Sequence, residues 1–487
     1  MEQKKSSDRS TRFVGNKVEL QMRGGQQRAE VAEMTVTGDV VIQQQQRDAG
    51  GQQKTTMEFR GDQLQVESQP QDRYRLAMTG KAGRQVTVWL EELRLQGDNI
   101  FLDQMENQLW VRGPGRMRMT QGAPDPANVP SLRNTSSAAE PKILAPGDTT
   151  VTWEGGMVFN GSTLYFETNV LSESRQTNAG DGSVTATATR CAGLSITLNR
   201  AVDFAEMQSA DATPDIEARR LIMVGRMTQG EVEFGDYWQS SVDPLAWITM
   251  ANYDSKGAPT SRQEIQAPRI TYDALSSSVQ CDGRGKVVAR QNSGSKQGLA
   301  VGAPTTLTSP GSPSGKVDYI LVEYDDSFTG NLDPKKHQQG GRRLEFQGNV
   351  HAFYTQAMDW ETQPTERILQ QPGNQGMVMD CDLLTLDQWT PQGSKPTIDM
   401  VATGNARING SQFKATAERI SFSQSNVLVV LDAPIRANVE IWYADPRGGT
   451  NGHAIAKTVT YNIETGECQW QEGKQIDYSQ QGPLRGR

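Results

Sequence analysis

The chain predicts an all-β protein made of stacked antiparallel strands in two or three consecutive segments, and three observations carry that prediction. First, one pattern recurs: a small residue, two variable residues, an apolar residue, one variable residue and a second apolar residue. Copies start at Gly61, Gly97, Gly161, Cys191, Ala267, Cys381, Ala417 and Ala456. The apolar pair sits two apart, so both members point to one face of a strand. Second, the last copies start 36 and 39 residues apart (381 to 417, 417 to 456), a period at which a β unit buries its apolar face only against its neighbours. Third, helical periodicity is nearly absent; Asp215 to Val224 could be read that way, and it also reads as a strand.

Taken in order, residues 1–31 form a polar lead-in. A β segment follows at 32–120, then a Pro- and Ser-rich linker or loop at 121–148, a second β segment at 149–301, a Pro/Ser/Gly loop at 302–316, a third β segment at 317–472 and a polar tail at 473–487. Within the segments, Gly38-Asp39, Gly348-Asn349 and Gly404-Asn405 each interrupt an alternating run and read as turns between strands. Return strands are expected at Leu109 and Val111, Val279 and Cys281, Val427, Val429 and Leu431, and Cys468 and Trp470.

Composition narrows the function. The chain has 487 residues, more than one compact core usually holds, and only 35% are hydrophobic, which suits a thin, elongated core. Net charge is −8, with no basic stripe interleaved with aromatics, which argues against a nucleic-acid partner. Cys191, Cys281, Cys381 and Cys468 show no CxxC spacing and read as small buried hydrophobes, with disulfides between rungs open in an oxidising compartment. No apolar run reaches the ~20 residues of a membrane-spanning helix, and Met1 to Lys17 has no signal-peptide core. The chain reads as a soluble cytoplasmic protein or as a piece that has lost its export segment.

Candidate chemistry is sparse. His337, His351 and His453 lack metal-site spacing, no G-x-S-x-G elbow occurs, and neither Gly113-Pro114-Gly115 nor Gly283-Arg284-Gly285 fits a phosphate loop. Asp103, Asp273 and Asp387 recur where a strand ends, as Asx turn-formers do. Asp380 and Asp382 flank Cys381 and are expected to face solvent; a paired-carboxylate glycosidase stays conceivable. No catalytic residue, metal site or cofactor is expected, and the nine tryptophans read as packing.

At Ala402 to Ile408, Phe413 to Phe422 and Val427 to Leu431, the chain resembles the OstA-like repeat of LptA-type lipopolysaccharide-transport proteins. Thr37 to Val66 and Ala267 to Gly283 are similar to it. The resemblance implies a β-jelly-roll or β-taco, a V-shaped stack with an apolar groove for acyl chains, in the periplasm or cell envelope. Its groove would be lined by Val36, Val40, Ile42, Phe59, Leu64, Val66, Ile100, Leu102, Leu109 and Val111, and by Ile408, Phe413, Ile420, Phe422, Val427, Val429 and Leu431. Arg60, Arg94 and Arg112 would meet anionic headgroups at its rim. The expected function is non-enzymatic: binding or bridging an amphipathic lipid such as lipopolysaccharide, with other envelope β-jelly-roll proteins joining by edge-strand addition. The alternatives are a scaffolding β-solenoid with a closed core and a polysaccharide-binding or -active β-helix.

Overall fold

The computed structural model describes residues 9–24, 29–47, 53–70, 73–90, 93–120, 147–177, 181–204, 218–225, 245–292, 317–331, 341–357, 359–360, 364, 376–389, 397–410, 413–423, 425–433, 438–444, 451–462 and 465–479. Every long regular element among them is a β-strand. Residues 121–146 of the loop expected at 121–148, the loop expected at 302–316, Trp238 and His337 lie outside the described residues, and Asp148 already belongs to a strand. The chain divides into two compact units, Met1–Ala246 and Trp247–Arg487.

The first unit holds β1 (Arg9–Val14), β2 (Lys17–Gly24), β3 (Ala29–Arg47), β4 (Gln53–Gln69), β5 (Arg73–Thr79), β6 (Val86–Leu90) and β7 (Leu93–Asp103). It continues with β8 (Gln108–Thr120), β9 (Asp148–Trp153), β10 (Gly156–Phe159), β11 (Thr163–Thr177), β12 (Val184–Leu198) and β13 (Ala218–Val224). Among the described residues its strands pair antiparallel, and the long strands serve two ladders at once. One half of β3 pairs with β2 and the other with β1, while β4 follows β3 along both halves. β4 then pairs with β5 on one side and β6 on the other, and β7 and β8 again run through both. The lead-in is therefore structured: β1 and β2 fall inside residues 1–31.

The second unit repeats the plan. Its strands are β14 (Ala246–Tyr253), β15 (Pro259–Ala267), β16 (Arg269–Asp273), β17 (Ser278–Asp282), β18 (Gly285–Asn292), β19 (Val317–Tyr324), β20 (Ser327–Asn331), β21 (Gly341–Ala357) and β22 (Met377–Trp389). They continue as β23 (Thr397–Gly410), β24 (Phe413–Ser423), β25 (Leu428–Asp432), β26 (Val439–Ala444), β27 (Asn451–Ala456), β28 (Thr458–Asn462), β29 (Cys468–Gln471) and β30 (Gln475–Ser479). β21 to β24 run through both ladders; β25, β28 and β29 extend one, and β26, β27 and β30 the other. The expected polar tail from 473 thus contributes β30.

The recurring sequence pattern marks the corner where a strand passes between ladders. Gly61, Gly97, Cys191, Cys381 and Ala417 each sit beside a register shift. Ala267 and Ala456 end strands, and a single residue separates each from the strand that enters the other ladder. A small residue is needed there because the inner angle is crowded: a Cβ on Gly97 would run into Cγ1 of Val111. Gly161 is the exception, a left-handed turn residue between β10 and β11. The Gly-Asx steps are a correction to the sequence reading. They reverse no chain; they are two-residue bulges on the outside of the same corner, which bend a continuous strand. Gly404 and Asn405 (φ 78° and 48°) oppose Asp382, whose carboxylate accepts a hydrogen bond from Asn405 Nδ2 at 3.4 Å. The exposed Asp382 is thereby tied to bulge geometry. Val427 also departs from expectation: it is half-buried in the turn before β25, with φ 56°, outside the strand.

Candidate functional site

Cross-strand pairing assembles the apolar residues of each unit into continuous rows. In the first unit one row runs Val18, Val36, Leu64, Met78, Ile100, Val111, Met157, Phe166, Leu194 and Met223, one residue per strand and each directly opposite the next. A parallel row includes Leu20, Met34, Val66, Leu76, Leu102, Leu109 and Phe159. The other ladder contributes Phe13, Ile42, Phe59, Val88, Leu95, Met117 and Val151 before turning polar at Ser172. In the second unit Phe346, Leu384, Ala402, Ile420, Leu431 and Val459 form the equivalent row.

The structure therefore gathers the sequence-derived groove residues onto the inner faces of two separate units. Val36, Val40, Ile42, Phe59, Leu64, Ile100 and Val111 are buried in the first, with Val66, Leu102 and Leu109 half-buried beside them. Ile408, Phe413, Ile420, Phe422, Val429 and Leu431 are buried in the second. Aromatic rings reach from ladder to ladder across the interior. Trp153 and Phe166 lie 5.2 Å apart in the first unit; in the second, Phe413 lies 5.2 Å from Tyr461, and Tyr324 lies 5.9 Å from Phe346. Where these rings meet, the interior is filled by the protein's own side chains.

One end differs. Val18, Leu20 and Met22 belong to the inner face of β2, yet their relative exposures are 51, 54 and 54%, and Phe13 on β1 is 41% exposed. The next member of the row, Val36, is 0% exposed. Among the described residues β1 and β2 pair only with β3, so the stack ends there with open strand edges and an uncovered apolar floor. This mouth is absent from the sequence-derived set. Its signal is the alternation of Val18, Leu20 and Met22, diluted by Lys17, Glu19, Gln21 and Arg23.

Polar candidates fall outside these interiors. Arg60, Arg94 and Arg112 alternate with the buried Phe59, Leu95 and Val111 and so point away from the interior; they do not rim it. Asp103 Oδ1 accepts hydrogen bonds from the backbone N–H groups of Met105 and Glu106, and Asp273 Oδ1 accepts one from Ser276. Both are Asx turns. Burial acts to raise Asp103, but its ion pair with Arg75 at 2.8 Å and the backbone donors win, and its pKa lies below the usual carboxylate range. Asp387 lies 3.8 Å from Arg343, and exposed Asp380 bonds His351 at 2.7 Å. His453 bonds Glu440 at 3.0 Å and stacks on Trp442. Among the described residues no group of three His, Cys, Asp or Glu side chains could hold a metal, and no helix is long and apolar enough to cross a membrane. The four cysteines are free thiols, and burial pushes Cys191, Cys281 and Cys381 up to about 12.

Among the described residues, Glu167 is the one carboxyl that burial moves far upward, to about 7. It stands between Gly156 and Gly193 on the neighbouring strands, just before the β11 bulge. The folded protein holds this proton more tightly than the unfolded chain does. Stability should therefore fall as pH rises from the ordinary carboxyl range through 7, because the charged form is disfavoured in the fold. Glu167→Gln is expected to raise the melting temperature at pH 8 and leave it unchanged at pH 4; thermal melts at the two pH values check this.

No family model matches the chain, and no curated protein matches it.

Proposed function

We propose that this is a non-enzymatic cell-envelope protein of the OstA-like β-jelly-roll type, which binds the acyl chains of an amphipathic lipid such as lipopolysaccharide. The observation that carries this reading is the first-unit apolar row, buried along its length and laid open at Phe13, Val18, Leu20 and Met22. Transfer of acyl chains onto such a surface is favourable by ~0.8 kcal/mol per buried CH₂. The ring-filled interior beyond it supports a mouth that receives chain ends more than a conduit open from end to end. The bent strands with bulged corners support the jelly-roll form, and the periplasm is the compartment this reading implies. The open edges of β1 and β2 fit a second envelope β-jelly-roll protein added strand to strand.

The apolar probe N-phenyl-1-naphthylamine tests the mouth. Its fluorescence should rise on the wild-type chain, and Leu20→Asp with Met22→Asp should weaken binding at least about tenfold, since a buried unpaired carboxylate opposes apolar contact. Equal binding by the variant, or no binding by the wild type, overturns the lipid reading. A doubling of mass with no probe binding favours the scaffold alternative.

A further inference from the structure

The outer face of the first unit carries a cluster of arginines with too few acidic partners. Arg94 on β7 stands directly opposite Arg118 on β8 and diagonal to Arg116. On its other side it faces Trp89 of β6, whose ring has the Arg60 guanidinium 5.1 Å and the Arg94 guanidinium 6.0 Å from its centroid. Arg118 pairs with the buried Asp148. Arg94 and Arg116 are half-buried, and neither makes an ion pair among the described residues. Nε of Arg116 and of Arg118 are both buried without a hydrogen-bond partner.

Like charges directly opposite on a sheet destabilise it, and buried donors left unmet cost more than they contribute. Burial and the neighbouring Arg118 both act against the charged form of Arg94 and lower its pKa. Two carboxylates stand near this cluster, but Glu58 pairs with Arg60 and Asp148 with Arg118, which leaves Arg94 and Arg116 without one among the described residues. Guanidinium forks match the oxygens of a tetrahedral dianion, and such an anion would relieve the repulsion and meet the free donors together.

We propose that Arg94, Arg116 and Arg118, beside Trp89, form a binding site for a phosphate group on the outer face of the first unit. The chemistry is common to free phosphate and to a phospholipid headgroup, and the test separates them. The full chain is melted in sodium phosphate and in sodium chloride of equal ionic strength. It is also co-sedimented with phosphatidylglycerol vesicles and with phosphatidylcholine vesicles. Phosphate should raise the wild-type melting temperature, and Arg94→Gln with Arg116→Gln should abolish that shift while melting at or above the wild type in chloride. Preference for phosphatidylglycerol, weakened about tenfold in the variant, assigns the site to headgroups; a phosphate shift without vesicle binding assigns it to a soluble phosphate ligand. An equal phosphate shift in both proteins, or neither a shift nor vesicle binding in the wild type, overturns the proposal. Arg94→Gln alone serves if the double variant does not fold. The apolar mouth is untouched by these substitutions, so probe binding there is unaffected by either result.

Discussion

Phe346→Ala is expected to remove about 3–5 kcal/mol from the stability of the second unit. Phe346 is 0% exposed, stacks on Phe328 at 4.6 Å with an interplanar angle of 18°, and meets Tyr324 from the opposite ladder at 5.9 Å. Truncation removes the transfer free energy of the ring and leaves a cavity between two ladders, whose hydrogen-bonded strands resist collapse into it. Urea denaturation followed by tryptophan fluorescence measures the loss. A cost below about 1 kcal/mol would mean that the two ladders do not close on each other through these rings, against the packing density that protein interiors share. Under the proposed lipid reading, a second unit filled by these rings offers acyl chains no groove of its own.

The all-β class was legible because strand periodicity is written residue by residue. The pairs Ile100 and Leu102, Ile420 and Phe422, and Val459 and Tyr461 all land on inner faces, as spacing by two requires. The small residue ahead of each pair was legible as a pattern but not as a cause. Its reason is a contact between segments distant along the chain, such as Gly97 with Val111. Gly-Asx steps misled for a related reason. Their left-handed geometry suits a hairpin turn and a bulge alike, and only the partner strand, continuing past Asp382, decides between them. Arg60, Arg94 and Arg112 could have been assigned to the outer face by parity with Phe59, Leu95 and Val111. The open mouth could not, because exposure at a stack end depends on which strand lacks a neighbour.

Gly97→Val tests the corner, and about 3 kcal/mol of first-unit stability should be lost. Valine is a good strand former, so local propensity favours the variant and the loss isolates crowding. The added Cβ would meet Cγ1 of Val111, which is 1% exposed and directly opposite Ile100 and Met157, so it cannot swing into solvent. Gly24→Ala is the matched control: nothing lies within 4 Å of a Cβ there, and its effect should stay within about 0.5 kcal/mol. Making room should restore stability, so Gly97→Ala combined with Val111→Ala should cost less than the sum of the two single changes. Additive costs in that cycle would place the glycine requirement in the backbone of β7, and the small residue of the recurring pattern would then owe nothing to the meeting of the two ladders.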